Sequence, residues 1–191
     1  MTVVVKDSGF GIKNIIIDEP KTYNSLSFKT LKMLVDTFKR LERDNKTRVI
    51  ILSGNGKGFS AGHNLKEVKN LKVRSKYLKL FNLCSKLMLN IVEGRKPVIA
   101  KVHGSAFAAG CQLAASCDLA YASIDAKFAT PGVNIGLFCS TPMVAVSRKI
   151  GKKRMMKMLL TGEPINARYA KEIGLINDCF PKNKLNSKVL E

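Results

Sequence analysis

The sequence predicts an α/β fold, and three observations carry that expectation. Short apolar runs suited to buried strands alternate along the chain with longer segments of helical periodicity. Gly, Pro, Asn and Asp cluster at the breaks between them. A length of 191 residues with 46% apolar content is enough for one domain with a substantial core.

The elements follow in order. Val3 to Val5 and Asn14 to Asp18 read as strands of a hairpin, turned by Ser8-Gly9 and Gly11. Asp18-Glu19-Pro20 ends the second. Leu31, Leu34, Val35, Phe38 and Leu41 then recur at helical spacing, with Ser25 or Ser27 placed to cap the helix. Arg48 to Leu52 is a nearly continuous apolar strand, as expected where both faces of a sheet are covered. A glycine-rich loop, Ser53 to Gly62, leads into a short helix. The spacing of Tyr77, Leu80, Phe81, Cys84, Leu87, Met88 and Ile91 predicts a longer helix over 74–92, with Gly94 at its C-terminal cap. Pro97 to Val102 reads as a buried strand, followed by a loop of small residues and a helix rich in Ala and Gly. Strands are expected at Asp118 to Ala122 and Lys127 to Ala129, two or three helices over 141–173, and an extended piece at Leu175 to Phe180. No repeat, low-complexity tract or linker divides the chain.

Composition narrows the function. The longest uncharged run, Phe128 to Ser147, is broken by Pro131, Gly132, Asn134, Gly136 and Pro142, which argues against a membrane span. Five cysteines without a Cys-x-x-Cys pair argue for a reducing compartment and against a zinc site, so no metal is expected. Cys111 and Cys117 read as small core residues. A formal charge of +19 suits a phosphate-rich partner. The lysines are spread along the chain without a dense block, however, which fits solvated faces. The local exception is the first helix, where Lys29, Lys32, Lys39, Arg40 and Arg43 share the polar side, interrupted by Asp36 and Glu42. Few aromatics accompany them and Trp is absent, so nucleic acid is the weaker reading.

Two loops of small residues carry the chemistry. In Gly104-Ser105-Ala106-Phe107-Ala108-Ala109-Gly110-Cys111-Gln112, the unpaired N–H groups of a helix start face little side-chain obstruction. Such a position can hold negative charge on a thioester or ester oxygen. The loop Gly58-Phe59-Ser60-Ala61-Gly62-His63-Asn64-Leu65-Lys66-Glu67 has the same character. His63 is a candidate base, since an imidazole titrates near neutrality, or a pocket-wall residue. Cys139 and Ser140 are candidate nucleophiles or small lining residues. Glu67 reads as a solvated or helix-pairing charge, and His103 as a buried, hydrogen-bonded side chain.

These loops resemble the two oxyanion-hole segments of the crotonase family, the enoyl-CoA hydratases and isomerases. Phe128 to Leu137 is similar to the family's next active-site segment. Leu160-Thr161-Gly162-Glu163, with Ala167, Ala170 and Gly174-Leu175, is similar to its later helices. Several collinear motifs covering nearly the whole chain make the resemblance specific. It implies a spiral of ββα units, trimers or dimers of trimers, and a coenzyme A thioester as substrate with no separately bound cofactor. It implies further that the thioester carbonyl lies between the N–H groups of His63 and Ala109. By position, Tyr23, Ser60, Ala61, Gly62, Leu65 and Gly110 fall in the substrate-binding segments.

The chain departs from that pattern at the acid–base pair. Two carboxylates normally carry hydration, and their positions hold Gln112 and Gly132. A glutamine amide takes no proton at neutral pH and glycine offers no side chain, so hydration by the usual route is not expected. Fatty acyl-CoA binding with lyase or isomerase chemistry, or binding as a non-catalytic regulator, both remain open. In the second case, restoring glutamate at both positions is expected to create activity. The resemblance also implies further helices beyond Phe180-Pro181, so 1–191 reads as a single crotonase-like domain with a shortened helical part. A mitochondrial location is implied by the resemblance, although no Arg/Ser-rich leader precedes the first strand and Val189-Leu190-Glu191 is not a peroxisomal ending.

Overall fold

The computed structural model describes residues 2–191. Strands β1 (Val3–Asp7) and β2 (Ile12–Ile17) form the expected antiparallel hairpin. The chain crosses over through helix α1 (Phe28–Arg43) to β3 (Val49–Gly54), which lies parallel to β2. The side chain of Ser27 caps α1 by accepting from Thr30 N–H at 3.1 Å. Helices α2 (Leu65–Lys69) and α3 (Arg74–Val92) follow, then β4 (Val98–Val102) and the three-residue β5 (Ser105–Phe107). Helix α4 (Ala109–Ser116) leads to β6 (Leu119–Ser123) and β7 (Lys127–Ala129). The remaining elements are α5 (Ser140–Val146), α6 (Lys152–Thr161), β8 (Ile165–Asn166), α7 (Ala167–Glu172), β9 (Asp178–Phe180) and α8 (Lys182–Leu190).

Two sheets result. The larger has the order β1-β2-β3-β4-β6-β9, parallel throughout except for the first hairpin, and the smaller has the order β5-β7-β8. One face of the larger sheet presents Ile15, Ile17, Ile50, Leu52, Val98 and Ala100 to the main core with α1 and α3. Full burial of each large side chain there contributes roughly 1.5–3 kcal/mol. The other face carries a smaller cluster in which Ile51 meets Leu185 and Val189 of α8.

The 74–92 helix has the expected bounds, with Leu80, Cys84, Leu87, Met88 and Ile91 buried, while Tyr77 and Phe81 are half-buried. Gly94 lies one residue past its C-cap, Glu93, without a left-handed φ. A Cβ there would meet the Asn90 carbonyl oxygen at 2.8 Å, so close approach explains that glycine. Three elements are absent from the sequence reading. β5 and β8 are too short to show a period, and α8 buries only Leu185 and Val189.

Candidate functional site

The site grows from a joint between two loops on different elements. Ser60 bridges Ala106 of β5 as a one-residue parallel strand: its N–H donates to the Ser105 carbonyl at 3.0 Å, and its carbonyl accepts from Phe107 N–H at 2.9 Å. The joint is tight enough to exclude side chains. A Cβ on Gly110 would lie 2.2 Å from the Ser60 carbonyl oxygen, and one on Gly62 would lie 3.0 Å from Ala109 N. Gly62 also has φ +88°, the left-handed region that glycine tolerates. These two glycines bring the start of α4 against the residue before His63.

Ala109, buried, is the first residue of α4, whose preceding residue offers no capping side chain. Among the described residues, neither Ala109 N–H nor His63 N–H donates to a protein acceptor. Ala108, just before, holds φ 48° and ψ −120°, a strained conformation for a residue with a Cβ. Two unpaired N–H donors, on loops locked together by their backbones, can stabilise charge developing on one oxygen.

Asn24 lies in the segment Tyr23 to Leu26, which the resemblance implies is at the nucleotide, and its buried side chain has an internal role. Its side-chain oxygen accepts from Glu19 N–H at 2.8 Å, and its amide donates to the carbonyls of Asn55 and Gly58 at 2.7 Å each. It thus ties the crossover before α1 to the first loop. A polar residue beside an apolar helix start was the available signal. Ser60 belongs to the same support: fully buried, it donates to the Asn24 carbonyl at 2.8 Å and accepts from Gly62 N–H at 3.2 Å. That hydroxyl is committed inside the protein, where it supports the loop. The N–H of Ala61, half-buried, donates to the Tyr23 carbonyl at 2.9 Å. Tyr23 and Leu65 are exposed at the mouth of this loop.

His63 sets its ring edge-on to Phe81, with centroids 5.2 Å apart, and neither ring nitrogen has a hydrogen-bond partner among the described residues. Burial pulls its pKa below the usual histidine value, opposed by the Leu26 backbone and the Glu67 carboxylate. Glu67 itself accepts from Phe28 N–H at 2.9 Å, joining α2 to the start of α1. Cys139 is buried and its sulfur accepts from Gly132 N–H at 3.3 Å. Burial pushes its pKa up, which favours the protonated and less nucleophilic thiol. Ser140 is exposed at the start of α5. His103 donates through Nε2 to the Gly56 carbonyl at 2.9 Å as expected, but at its strand end it is half-buried rather than buried.

Gln112 is 6% exposed and lines a cavity of about 360 Å³ between α3, α4 and α5, walled by Met88, Leu89, Val144 and Ala145. Gly132 is buried in a short 3-10 turn, Pro131–Ile135. The space its side chain would take is already filled: a Cβ there would lie 2.4 Å from the Leu137 carbonyl oxygen and 2.7 Å from Cys139 Sγ. The expectation that glutamates restored at both positions create a hydratase therefore meets a steric obstacle at the second.

A spiral of strand–helix units with two glycine-joined loops over a helix start defines a crotonase-type fold. The chain belongs to the enoyl-CoA hydratase/isomerase family, whose model matches residues 7–191. It is 46% identical over 180 residues to the human mitochondrial enoyl-CoA hydratase domain-containing protein 3, a match covering 94% of this chain and 59% of that protein. To the mitochondrial enoyl-CoA hydratase of Pongo abelii it is 35% identical over 182 residues, covering 93% of this chain and 60% of that protein. The chain thus spans about three-fifths of the length of these curated relatives. Among solved structures, an enoyl-CoA hydratase of Mycobacterium smegmatis superposes with a TM-score of 0.97 at 43% identity, covering all of this chain and 74% of that one. The human domain-containing protein 3 gives 0.96 at 44% identity, covering all of this chain and 75% of that one. Among the described residues no helix is long and apolar enough to cross a membrane.

Proposed function

We propose that this chain binds an acyl-CoA thioester, with the thioester carbonyl held between the N–H groups of His63 and Ala109, and that it does not hydrate it by the two-carboxylate route. The observation that carries this reading is the pair of unpaired backbone donors on loops fixed together through Gly62 and Gly110. Each donor can stabilise a developing oxyanion by roughly 3 kcal/mol. The cavity beside Gln112, apolar at Met88, Leu89, Val144 and Ala145 and charged at Asp118, Arg148 and Lys149, supports a fatty acyl chain as the part bound against its apolar wall. Tyr23 and Leu65, exposed beside the first loop, are assigned to the nucleotide end.

Loss of both acid–base partners removes about 10²–10⁴-fold in rate for each proton transfer. The groups nearby do not readily replace them, given the buried imidazole nitrogens of His63 and the protonated thiol of Cys139. The protein is accordingly assigned to fatty acid metabolism as a thioester-binding member of its family, a homotrimer or hexamer, in the mitochondrion like its named relatives.

Calorimetric titration with crotonyl-CoA, followed by mass analysis of the recovered thioester, tests this directly. Saturable binding with the thioester unchanged is expected. A hydrated product would overturn the non-hydratase assignment, and absence of binding would overturn the thioester site itself.

A further inference from the structure

A second cavity, of about 320 Å³, lies on the α8 face of the larger sheet, away from α1 and α3. Its floor is formed by Asn14 of β2, Ser53 of β3 and Lys101 of β4. Lys182 and Asn186 of α8 form its roof, and His103 closes one end. Among the described residues, no carboxylate lines it.

The groups of Lys101, Asn14 and Asn186 that face it unspent are donors. Lys101 is half-buried, and its ammonium bonds the neutral Asn186 side-chain oxygen at 2.7 Å, with no carboxylate partner among the described residues. Burial lowers its pKa, with no carboxylate opposing the shift. Because Asn186 gives its oxygen to Lys101, its NH₂ is the group left over. The Asn14 oxygen likewise accepts from the Ser53 hydroxyl at 2.9 Å, leaving the Asn14 NH₂ unused. Lys182 opens α8, whose first turn has no capping side chain, so the positive end of a nine-residue helix adds the same sign. An ammonium withdrawn from water without a counter-ion is costly, and surplus donors around it define what would offset that cost.

We propose that this cavity binds a phosphoryl dianion, held by Lys101 and Lys182 and oriented by the side-chain amides of Asn14 and Asn186. The volume leaves room for a small organic group beside the phosphoryl. The cavity touches the start of the first loop through Gly54, Asn55 and Gly56 but includes neither His63 nor Ala109, and it does not depend on the function proposed for them.

Calorimetry of the full chain in chloride buffer, with inorganic phosphate and phenyl phosphate as probes, tests the site. One saturable site is expected. Tighter binding of phenyl phosphate would identify an ester as the occupant, and equal or weaker binding would identify free phosphate. Lys101→Met should weaken binding about tenfold, the loss of roughly one charge-assisted hydrogen bond. It should also raise the Tm measured without phosphate, because an unpaired half-buried cation is gone. Lys182→Gln, on the exposed end of α8, should weaken binding while leaving the Tm in place, and it keeps the test decisive if Lys101→Met fails to fold. Lys29→Gln with Lys32→Gln, remote on α1, should change affinity less than about twofold, since surface charge acts diffusely and is screened. The proposal is overturned if the protein shows no saturable phosphate binding, or if the remote pair weakens it as much as Lys101→Met. It is overturned equally if crotonyl-CoA displaces the phosphate, because the cavity would then belong to the thioester site.

Discussion

Two glycines of the site, Gly110 and Gly132, leave side-chain-free space that the protein uses in opposite ways. At Gly110 the space admits the backbone of a distant loop: the Ser60 carbonyl sits where a Cβ would be, and the first loop is joined to α4. At Gly132 the space is taken by the same segment folding back, through the Leu137 carbonyl and Cys139 Sγ. The first glycine builds the pair of free donors. The second stands where the family resemblance implies a carboxylate, and the space a side chain would take there is filled by the local chain. A position without a side chain is therefore not equivalent to an empty slot, and placing a side chain there requires moving backbone.

The largest expected effect breaks the first half of that comparison. Gly110→Ala should cost about 3 kcal/mol or more in urea unfolding, because the obstructing atom is backbone, and should abolish crotonyl-CoA binding in the titration above. Next comes Asn24→Ala, which removes three hydrogen bonds holding the first loop; a loss of about 2 kcal/mol is expected, with weakened thioester affinity. If affinity is untouched, the loop does not need this anchor.

The second half is sharpened by a double-mutant cycle. Gly132→Ala should cost about 1–2 kcal/mol alone and less in a Cys139→Ala background, where one of its two obstructions is relieved. Purely additive effects would mean that the Leu137 carbonyl alone fills the site. Gly132→Glu combined with Gln112→Glu should show no hydration of crotonyl-CoA, and appearance of 3-hydroxybutyryl-CoA would mean that the segment opens freely.

The smallest effect is a pH dependence. The ordinary value for histidine is 6.5, and burial holds His63 lower in the folded chain. As pH falls below about 6.5 the unfolded chain binds a proton that the folded chain refuses, so this residue makes stability fall with acid and contributes no slope above that range. His63→Gln should flatten that part of the pH–stability curve. An unchanged slope would place the titration elsewhere.

Local pattern carried much of the fold. Leu80, Cys84, Leu87, Met88 and Ile91 announce α3 by their spacing, and Ser27 announces the start of α1, because side-chain period and capping are properties of neighbouring residues. The loops around His63 and Ala109 were legible as motifs for the same reason. What was not legible depends on residues far apart in the chain. Asn24 anchors carbonyls 31 and 34 residues away, and Ser60 turns its hydroxyl inward to Asn24. β5 exists through its pairing with β7 and Ser60 rather than through any period of its own.

The sequence by itself determined the α/β class, the order of the main elements, the family, and the presence of Gln112 and Gly132 at the positions where the resemblance implies carboxylates. Those features reside in residue identity and short-range spacing. Only the tertiary structure decided that Gly110 joins two loops while Gly132 is filled by its own segment, and that Lys101 lies half-buried in a cavity without a carboxylate. Such outcomes turn on which backbone atoms and charges meet across the fold, where separations of a few tenths of an ångström decide between a contact, a clash and a cavity.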